Sequence, residues 1–168
     1  MGLEAGEFTN QHVSPEQAIE MFGPIPKVQT SFTVLESQVP PEFGHVTHPT
    51  QASIYFEEMM RIMNERGLGF QTLLENGVRA SVLVAHADLG RDLKVGDEVV
   101  LTTDTVELEK QIRFDQAMKR GAKDISTHQY VVDLRGMKRG IPIDVPLWVS
   151  ERLRTDIKPP ESQVQKEE

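Results

Sequence analysis

The sequence predicts an α+β protein in which a curved antiparallel sheet of about five strands wraps around one long central helix. One long segment carries apolar side chains at helical spacing over most of its surface, so that helix must be buried on several sides. Extended segments follow it, joined by links short enough to favour antiparallel pairing as a meander. Because a curled sheet leaves one flank uncovered, we expect two copies to associate.

A short helix is expected near the start of the chain. Ser14 suits the N-cap, Pro15 the first helical turn, and Gln17 the reciprocal position of a capping box. These residues predict a helix over residues 15–22, ending at the "FGPIP" stretch. A first strand is expected next, in "KVQTSFTVLES", where apolar and polar residues partly alternate.

The central helix is predicted over residues 50–66. Pro49 lies where a first-turn proline is tolerated, and Gly67 is a natural stop. Core packing is the simplest role for the methionines of this helix, and a pliable wall for an acyl or aromatic group is the functional alternative. The predicted apolar face consists of Ala52, Phe56, Met59, Met60 and Met63.

The later strands are predicted in "VRASVLVAHADL", "DEVVLTTDTVEL", "QIRFDQAMKR" and "DISTHQYVVDLRG", which are enriched in Val, Ile and Thr. A turn-rich piece, "FQTLLENG", precedes them, and "KVGDE" and "RGAKD" supply turns between them. We divide the chain into a tail with a short helix (1–25), one folded domain (26–155) and a disordered tail (156–168).

The composition is that of an ordinary globular protein, with 38% hydrophobic and 26% charged residues. A net charge of −8 disfavours nucleic acid, which attracts clustered Lys and Arg. The absence of cysteine excludes disulfides, thiolate metal sites and a thiol nucleophile. No apolar run approaches a membrane span, and the acidic start lacks the pattern of a signal peptide. We therefore expect a cytoplasmic protein without a membrane partner.

Three segments, taken in order, resemble one protein family. "FGHVTHPTQASIYFEEMMR" is similar to the family's "GHVN…Y…FEEAR" segment, "LKVGDEVVLTT" to its turn and strand, and "THQYVVDLRG" with "IPIDVP" to its last strand and exit. Over residues 28–153 the chain thus resembles hotdog-fold thioesterases of the 4-hydroxybenzoyl-CoA thioesterase type and their acyl-carrier-protein relatives. The resemblance implies a homodimer or homotetramer that hydrolyses an acyl-CoA or acyl-carrier-protein thioester without a metal. Coenzyme A or phosphopantetheine enters only as part of the substrate.

The sequence departs from the family pattern around the catalytic acid. The family carries an aspartate about three residues before the glycine of "GHV", whereas this chain has Glu42, one residue closer. A tyrosine is common near the helix start, where this chain has Ala52 and Ser53. His45 and His48 lie where relatives have one histidine or none.

Thioester hydrolysis needs a group that activates water, a donor for the developing oxyanion and a channel for the carrier. The candidate acids are Glu42 on the loop and Glu57 or Glu58 on the helix, and burial beside an apolar pocket would raise the pKa of such a carboxyl. The backbone amides of Thr50 and Gln51 are the candidate oxyanion donors, because a helix start has free N–H groups and partial positive charge.

Each candidate also has an ordinary structural interpretation. Glu42 can be a solvated loop residue, and Glu58 is spaced to pair with Arg61 on the helix surface. His48, and less so His45, could orient water or the carbonyl, whereas a bond to backbone is the alternative. A metal site formed by these residues is rejected, because their spacing is loose and no supporting partner is evident.

Basic residues in the two "MKRG" segments are predicted to contact the carrier, either the phosphates of coenzyme A or the acidic helices of an acyl carrier protein. Charge runs of this kind are more often solvated turns. The residues concerned are Lys119, Arg120, Lys138 and Arg139. The remaining histidines, His12, His86 and His128, are interpreted as structural or exposed.

Two other functions stay open. A non-catalytic hotdog protein that binds an acyl or aromatic ligand, or acts only as an oligomeric partner, is favoured by the missing aspartate and tyrosine. A hotdog dehydratase would use a histidine–acid pair, which His48 and Glu58 could mimic, but the expected Asp–His spacing is not visible.

Overall fold

The computed structural model describes residues 11–90 and 92–157, so the predicted tails lie largely outside the described residues. A 3-10 turn, Glu36–Gln38, follows the first strand. The helices are α1 (Pro15–Phe22), α2 (His48–Glu65), α3 (Phe70–Glu75) and α4 (Leu147–Leu153). The strands are β1 (Val28–Thr33), β2 (Val78–Asp88), β3 (Glu98–Glu107), β4 (Gln111–Arg120) and β5 (Lys123–Gly136).

The strands form a single antiparallel sheet in the order β1-β3-β4-β5-β2. Strands β3, β4 and β5 form the predicted meander, but β2 pairs with β5 instead of β3, so the prediction is wrong for β2. The link over residues 89–97 is long enough, at roughly 3.3 Å per residue, to carry the chain from one edge of the sheet towards the other. Strand β2 is therefore an edge strand.

Helix α2 lies against the concave face of the sheet, which confirms the curved sheet around one central helix. Buried and less buried residues alternate strictly along β3, and along β4 as far as Met118, so each strand turns one set of side chains towards α2. The core between the two layers includes Met59, Ile62, Met63, Leu101, Phe114 and Val132, each at most 1% exposed.

Both predicted helix starts are confirmed. Ser14 and Gln17 form the reciprocal capping box of α1, with N–H···O distances of 3.1 and 3.0 Å. Pro49 lies in the first turn of α2, which begins at His48, two residues earlier than expected. Gly67 follows the end of α2 with a φ of 72°, a conformation that favours glycine.

The predicted apolar face of α2 is wrong in part. Phe56 is 41% exposed, Met60 is half-buried, and Glu57 is exposed, so one side of α2 faces away from the sheet. The helix is therefore buried on one face and not on several. The residues that do face the core are Gln51, Tyr55, Glu58, Met59, Ile62 and Met63.

Helices α3 and α4 were not predicted. Helix α4 buries Trp148, Val149 and Leu153 and holds the N-terminal segment, because the Leu147 amide donates to Gln11 O at 2.7 Å. Its seven residues span only two turns, too few for a helical period to stand out from the sequence. None of the described helices is long and apolar enough to cross a bilayer.

Candidate functional site

The start of α2 is fastened to the end of β2 by the buried side chain of Gln51. Its amide nitrogen donates to Gly90 O at 2.6 Å and to Val46 O at 3.2 Å, and its oxygen accepts the Gly90 amide at 3.3 Å. A Cβ at Gly90 would lie 2.3 Å from Ile125 O, so only glycine allows this close approach. Gln51 is thus a structural clamp.

The two predicted oxyanion donors differ in availability. The Gln51 backbone amide donates to Thr47 O at 3.0 Å, so it does not fit a donor role in this conformation. The Thr50 amide lies in the first turn, where the helix itself supplies no acceptor. The Thr50 hydroxyl accepts from the Thr47 hydroxyl at 3.1 Å, which steadies this turn. Thr50 therefore stays the candidate donor.

The loop before α2 does not gather its polar residues into a site. Glu42 is exposed on a turn closed by bonds from the Phe43 and Gly44 amides to Pro40 O. His45 Nδ1 lies 3.0 Å from Val46 O, the ordinary backbone contact, and His48 is exposed. Within residues 11–90 and 92–157, no cluster of His, Asp and Glu is arranged to hold a metal ion.

Glu58 is engaged on both carboxylate oxygens. Arg61 donates from Nε to Oε1 at 2.7 Å and from its terminal nitrogen to Oε2 at 3.1 Å, and the Thr30 hydroxyl donates to Oε2 as well. The side chain is only 7% exposed, and the pairing raises the pKa of Arg61. This geometry fits the structural interpretation of Glu58, because neither oxygen points freely into a cleft.

Glu57, the next residue along the chain, lies in an open groove on the outward face of α2. The groove has a volume of about 410 Å³, and its surface is mostly apolar because Phe56 and Met60 contribute to it. Met59 and Met63 are fully buried, so they belong to the core and not to a wall. The groove is lined by Phe56, Glu57, Met60, Arg61, Asn64 and Glu65.

The groove and the start of α2 are separate places on one chain. Glu57 lies seven residues after Thr50, which is about 10 Å along the axis at 1.5 Å per residue. An oxyanion donor must lie about 3 Å from the carbonyl oxygen, whereas a base that acts through water can lie one water molecule further away. Glu57 and the Thr50 amide of the same chain are therefore too far apart to contact one thioester directly.

A polar and aromatic layer between α2 and the sheet was missed by the sequence reasoning. His128 is 3% exposed, so it fits the interpretation as a structural residue. Its ring is stacked on Tyr55, with the ring centres 5.1 Å apart, and its ring centre lies 4.3 Å from that of Tyr130. Burial, with a smaller contribution from His86, lowers the pKa of His128. Burial raises the pKa of Tyr55, whose hydroxyl lies 2.6 Å from Ser126 Oγ, to about 12. The sequence signal that could have revealed this layer is the presence of polar residues at strand positions that face inward.

The four basic residues fall at opposite ends of β5. Lys119 and Arg120 precede β5, on the side where Asp92 and the start of α2 lie, whereas Lys138 and Arg139 follow it. The two pairs are about 40 Å apart at 3.3 Å per residue, so they cannot hold one phosphate together. Arg120 already donates to Asp97 at 2.7 Å.

Comparison with known proteins gives a fold but no sequence relative. No family model matches the chain, and no curated protein matches it. Solved structures with similar folds are numerous. A 1,4-dihydroxy-2-naphthoyl-CoA thioesterase from Synechocystis is 12% identical, with a TM-score of 0.63 over 76% of this chain and 96% of that one. A gentisyl-coenzyme A thioesterase is 16% identical, with a TM-score of 0.59 over 75% and 99%.

The third structure is a DHNA-CoA thioesterase from Staphylococcus aureus, which is 10% identical, with a TM-score of 0.54 over 70% of this chain and 80% of that one. All three likenesses extend over most of both chains. They confirm the hotdog fold that the sequence motifs predict. At these identities the likeness concerns the fold alone.

Proposed function

We propose that the protein hydrolyses an acyl-CoA thioester as a homodimer. The observation that carries this proposal is the apolar groove on α2, which places the exposed carboxylate of Glu57 beside Phe56 and Met60 in a hotdog fold. Similar solved structures include enzymes named for aromatic acyl-CoA substrates, which supports the same class of substrate here. Hydrolysis needs no metal or separate cofactor in this proposal.

Glu57 is the carboxylate that assists the attack. The acyl group lies on Phe56 and Met60, and Glu57 removes a proton from a water molecule while the water oxygen adds to the carbonyl carbon. The carbon–sulfur bond then breaks, the sulfur takes the proton from Glu57, and the carrier leaves as a thiol while the acyl group leaves as a carboxylic acid. A positioned base of this kind contributes about 10²- to 10⁴-fold in rate. The Thr50 amide is the proposed oxyanion donor, a contribution of roughly 3–4 kcal/mol where such donors have been removed.

In the proposed dimer the carboxylate and the oxyanion donor come from different copies. Glu57 and the Thr50 amide lie about 10 Å apart along α2 of one chain, and a second copy that supplies the donor removes this separation. Strand β2 offers the joining edge: it ends the sheet, and Leu83 and Val84 are 55% and 60% exposed. An apolar, unpaired edge of this length is otherwise open to association with another chain.

The carrier is proposed to approach the end of the sheet that holds the start of α2. Lys119 is 56% exposed there and pairs only loosely with Asp124, at 3.6 Å, so it is available to a phosphate. The same face would meet the acidic surface of an acyl carrier protein if that is the carrier. Lys138 and Arg139 lie too far away for this role.

Thiol release from short, long and aromatic acyl-CoAs tests the function, and sedimentation tests the assembly. We expect release of free coenzyme A from at least one acyl-CoA, a dimeric wild type, and a monomeric, inactive Val84→Arg variant. Binding of acyl-CoA analogues without thiol release would favour the non-catalytic alternative. Hydration of a 2-enoyl thioester would favour the dehydratase.

A further inference from the structure

Phe56, the aromatic wall of the groove, is the outer end of a ladder of rings. Its ring meets Tyr130 edge-on at 5.9 Å, Tyr130 lies 4.3 Å from His128, and His128 is stacked on Tyr55 at 5.1 Å. Exposure falls along the ladder from 41% at Phe56 to 4% at Tyr130 and zero at Tyr55. The groove wall is therefore supported from behind by side chains that the groove does not expose.

Tyr130 also contacts the α2 backbone one turn before Phe56. Its hydroxyl donates to Ala52 O at 3.3 Å. In an α-helix the carbonyl of residue 52 also accepts the amide of residue 56. One side chain on β5 thus holds both the ring of Phe56 and the carbonyl that anchors the Phe56 backbone.

A second sheet residue holds the same stretch of α2. The Gln116 amide donates to Tyr55 O at 3.1 Å and to Thr103 Oγ1 at 3.3 Å. Gln116 is paired directly with Thr103 on one side and with His128 on the other, so these polar residues form a row across the concave face. Tyr130 and Gln116 together fix the rotation of α2 about its own axis, which apolar contacts alone specify less strictly.

Two polar side-chain atoms of this layer are buried without a partner among the described residues. Within the described chain, His128 Nδ1 and Gln116 Oε1 are buried and have no hydrogen-bond partner. Buried polar atoms without partners cost stability. Burial also raises the pKa of Tyr130, so its hydroxyl stays a donor at neutral pH. What the layer provides is a defined position for α2.

We propose that Tyr130 is a positioning residue that fixes Phe56, and that the fixed Phe56 ring sets which acyl groups the groove accepts. The inference rests on the proposed function, because the acyl group is the ligand. Aromatic pairs depend on ring orientation, whereas a flexible alkyl chain adapts to a displaced wall. Releasing Phe56 should therefore weaken binding of a rigid aromatic acyl group more than binding of a straight chain.

The test compares benzoyl-CoA with hexanoyl-CoA in Tyr130→Leu, Phe56→Leu, the double variant and the matched control Tyr130→Phe. We expect each leucine variant to lower the benzoyl-to-hexanoyl ratio of kcat/KM by about three- to tenfold, the range for losing an aromatic pair, mainly through KM. The double variant should lose no more than Phe56→Leu alone, because Tyr130 has no ring to position once Phe56 is replaced. Tyr130→Phe, which keeps the ring, should show a smaller drop.

The proposal would be overturned if the losses in the benzoyl-to-hexanoyl ratio of the two single variants multiplied in the double variant. It would also be overturned if Tyr130→Leu lowered only kcat, and by the same factor for both acyl groups. If Tyr130→Leu does not fold, Tyr130→Phe and Phe56→Leu carry the comparison. If the wild type releases no thiol, the proposed function fails. The same selectivity ratio is then read from dissociation constants of the non-hydrolysable benzyl and hexyl thioethers of coenzyme A, measured by calorimetry.

Discussion

Glu57 and Glu58 are consecutive residues on α2, yet they lie in opposite environments. Glu58 faces the sheet, where Arg61 and Thr30 occupy both of its carboxylate oxygens. Glu57 faces away from the sheet and lies in the groove beside Phe56. The inward face of α2 therefore holds the fold together, whereas the outward face is free to hold a ligand. Matched substitutions on the two faces test this difference.

Methionines on the two faces should give the largest difference in stability. Met59 is fully buried, so Met59→Ala is expected to lower the free energy of unfolding by about 2–5 kcal/mol. Met60 is half-buried beside the groove, and Met60→Ala should cost less than about 1 kcal/mol. Urea unfolding followed by circular dichroism measures both. Equal losses would show that the outward face is as well packed as the inward one.

The glutamates should differ in the same direction by a smaller amount. Glu58→Gln leaves Arg61 without its carboxylate, and because Arg61 is 23% exposed we expect about 1–3 kcal/mol, less than for a fully buried pair. Glu57→Gln should change the unfolding free energy by less than about 0.5 kcal/mol. Thermal or urea unfolding of the two variants measures this difference in unfolding free energy. A Glu57→Gln loss as large as that of Glu58→Gln would contradict the comparison.

The buried layer behind α2 should make stability depend on pH. His128 has a folded-state pKa below the ordinary value of about 6.5, so the unfolded chain takes up its proton first as pH falls. Its contribution is fully present above about pH 6.5 and declines as pH falls below that value, by at most about 1.4 kcal/mol per pH unit. Urea unfolding between pH 7.5 and 5 measures this slope. His128→Phe should make the unfolding free energy depend less on pH. An unchanged slope would show that His128 does not cause this pH dependence.

The basic ends of β5 should give the smallest effect. Lys119→Ala is expected to raise KM for an acyl-CoA two- to fivefold, because an exposed ion pair contributes roughly 0.2–1 kcal/mol. Lys138→Ala, at the far end of β5, should leave KM unchanged and serves as the control. Steady-state kinetics at low salt resolves the difference. A larger effect of Lys138→Ala on KM would contradict the proposed position, because the carrier would then bind at the end of the sheet opposite Lys119.

The sequence predicts local structure well because local patterns determine it. The capping box at Ser14 and the stop at Gly67 depend on neighbouring residues, and both are confirmed. The pairing of β2 is not determined locally. Its partner β5 lies more than thirty residues further along the chain, and no pattern within β2 identifies β5 as the partner. Short helix α4 lacks enough turns to reveal a period.

The rotation of α2 could not be read from the sequence for a different reason. Apolar residues occur almost all around this helix, so periodicity does not distinguish the side with Tyr55 from the side with Phe56. The sheet residues Gln116 and Tyr130 select the rotation by bonding to α2 carbonyls. Which of two adjacent glutamates is buried follows from that choice, so the candidate acid could be assigned only from the structure.

The proposal that the carboxylate on the uncovered face of α2 activates water can be tested by thiol release from the best acyl-CoA substrate, measured side by side for Glu57→Gln and Glu58→Gln. It predicts that Glu57→Gln lowers kcat at least about 100-fold with little change in KM, while folded Glu58→Gln keeps kcat within about tenfold of wild type. A Glu57→Gln enzyme that turns over at the wild-type rate would contradict it.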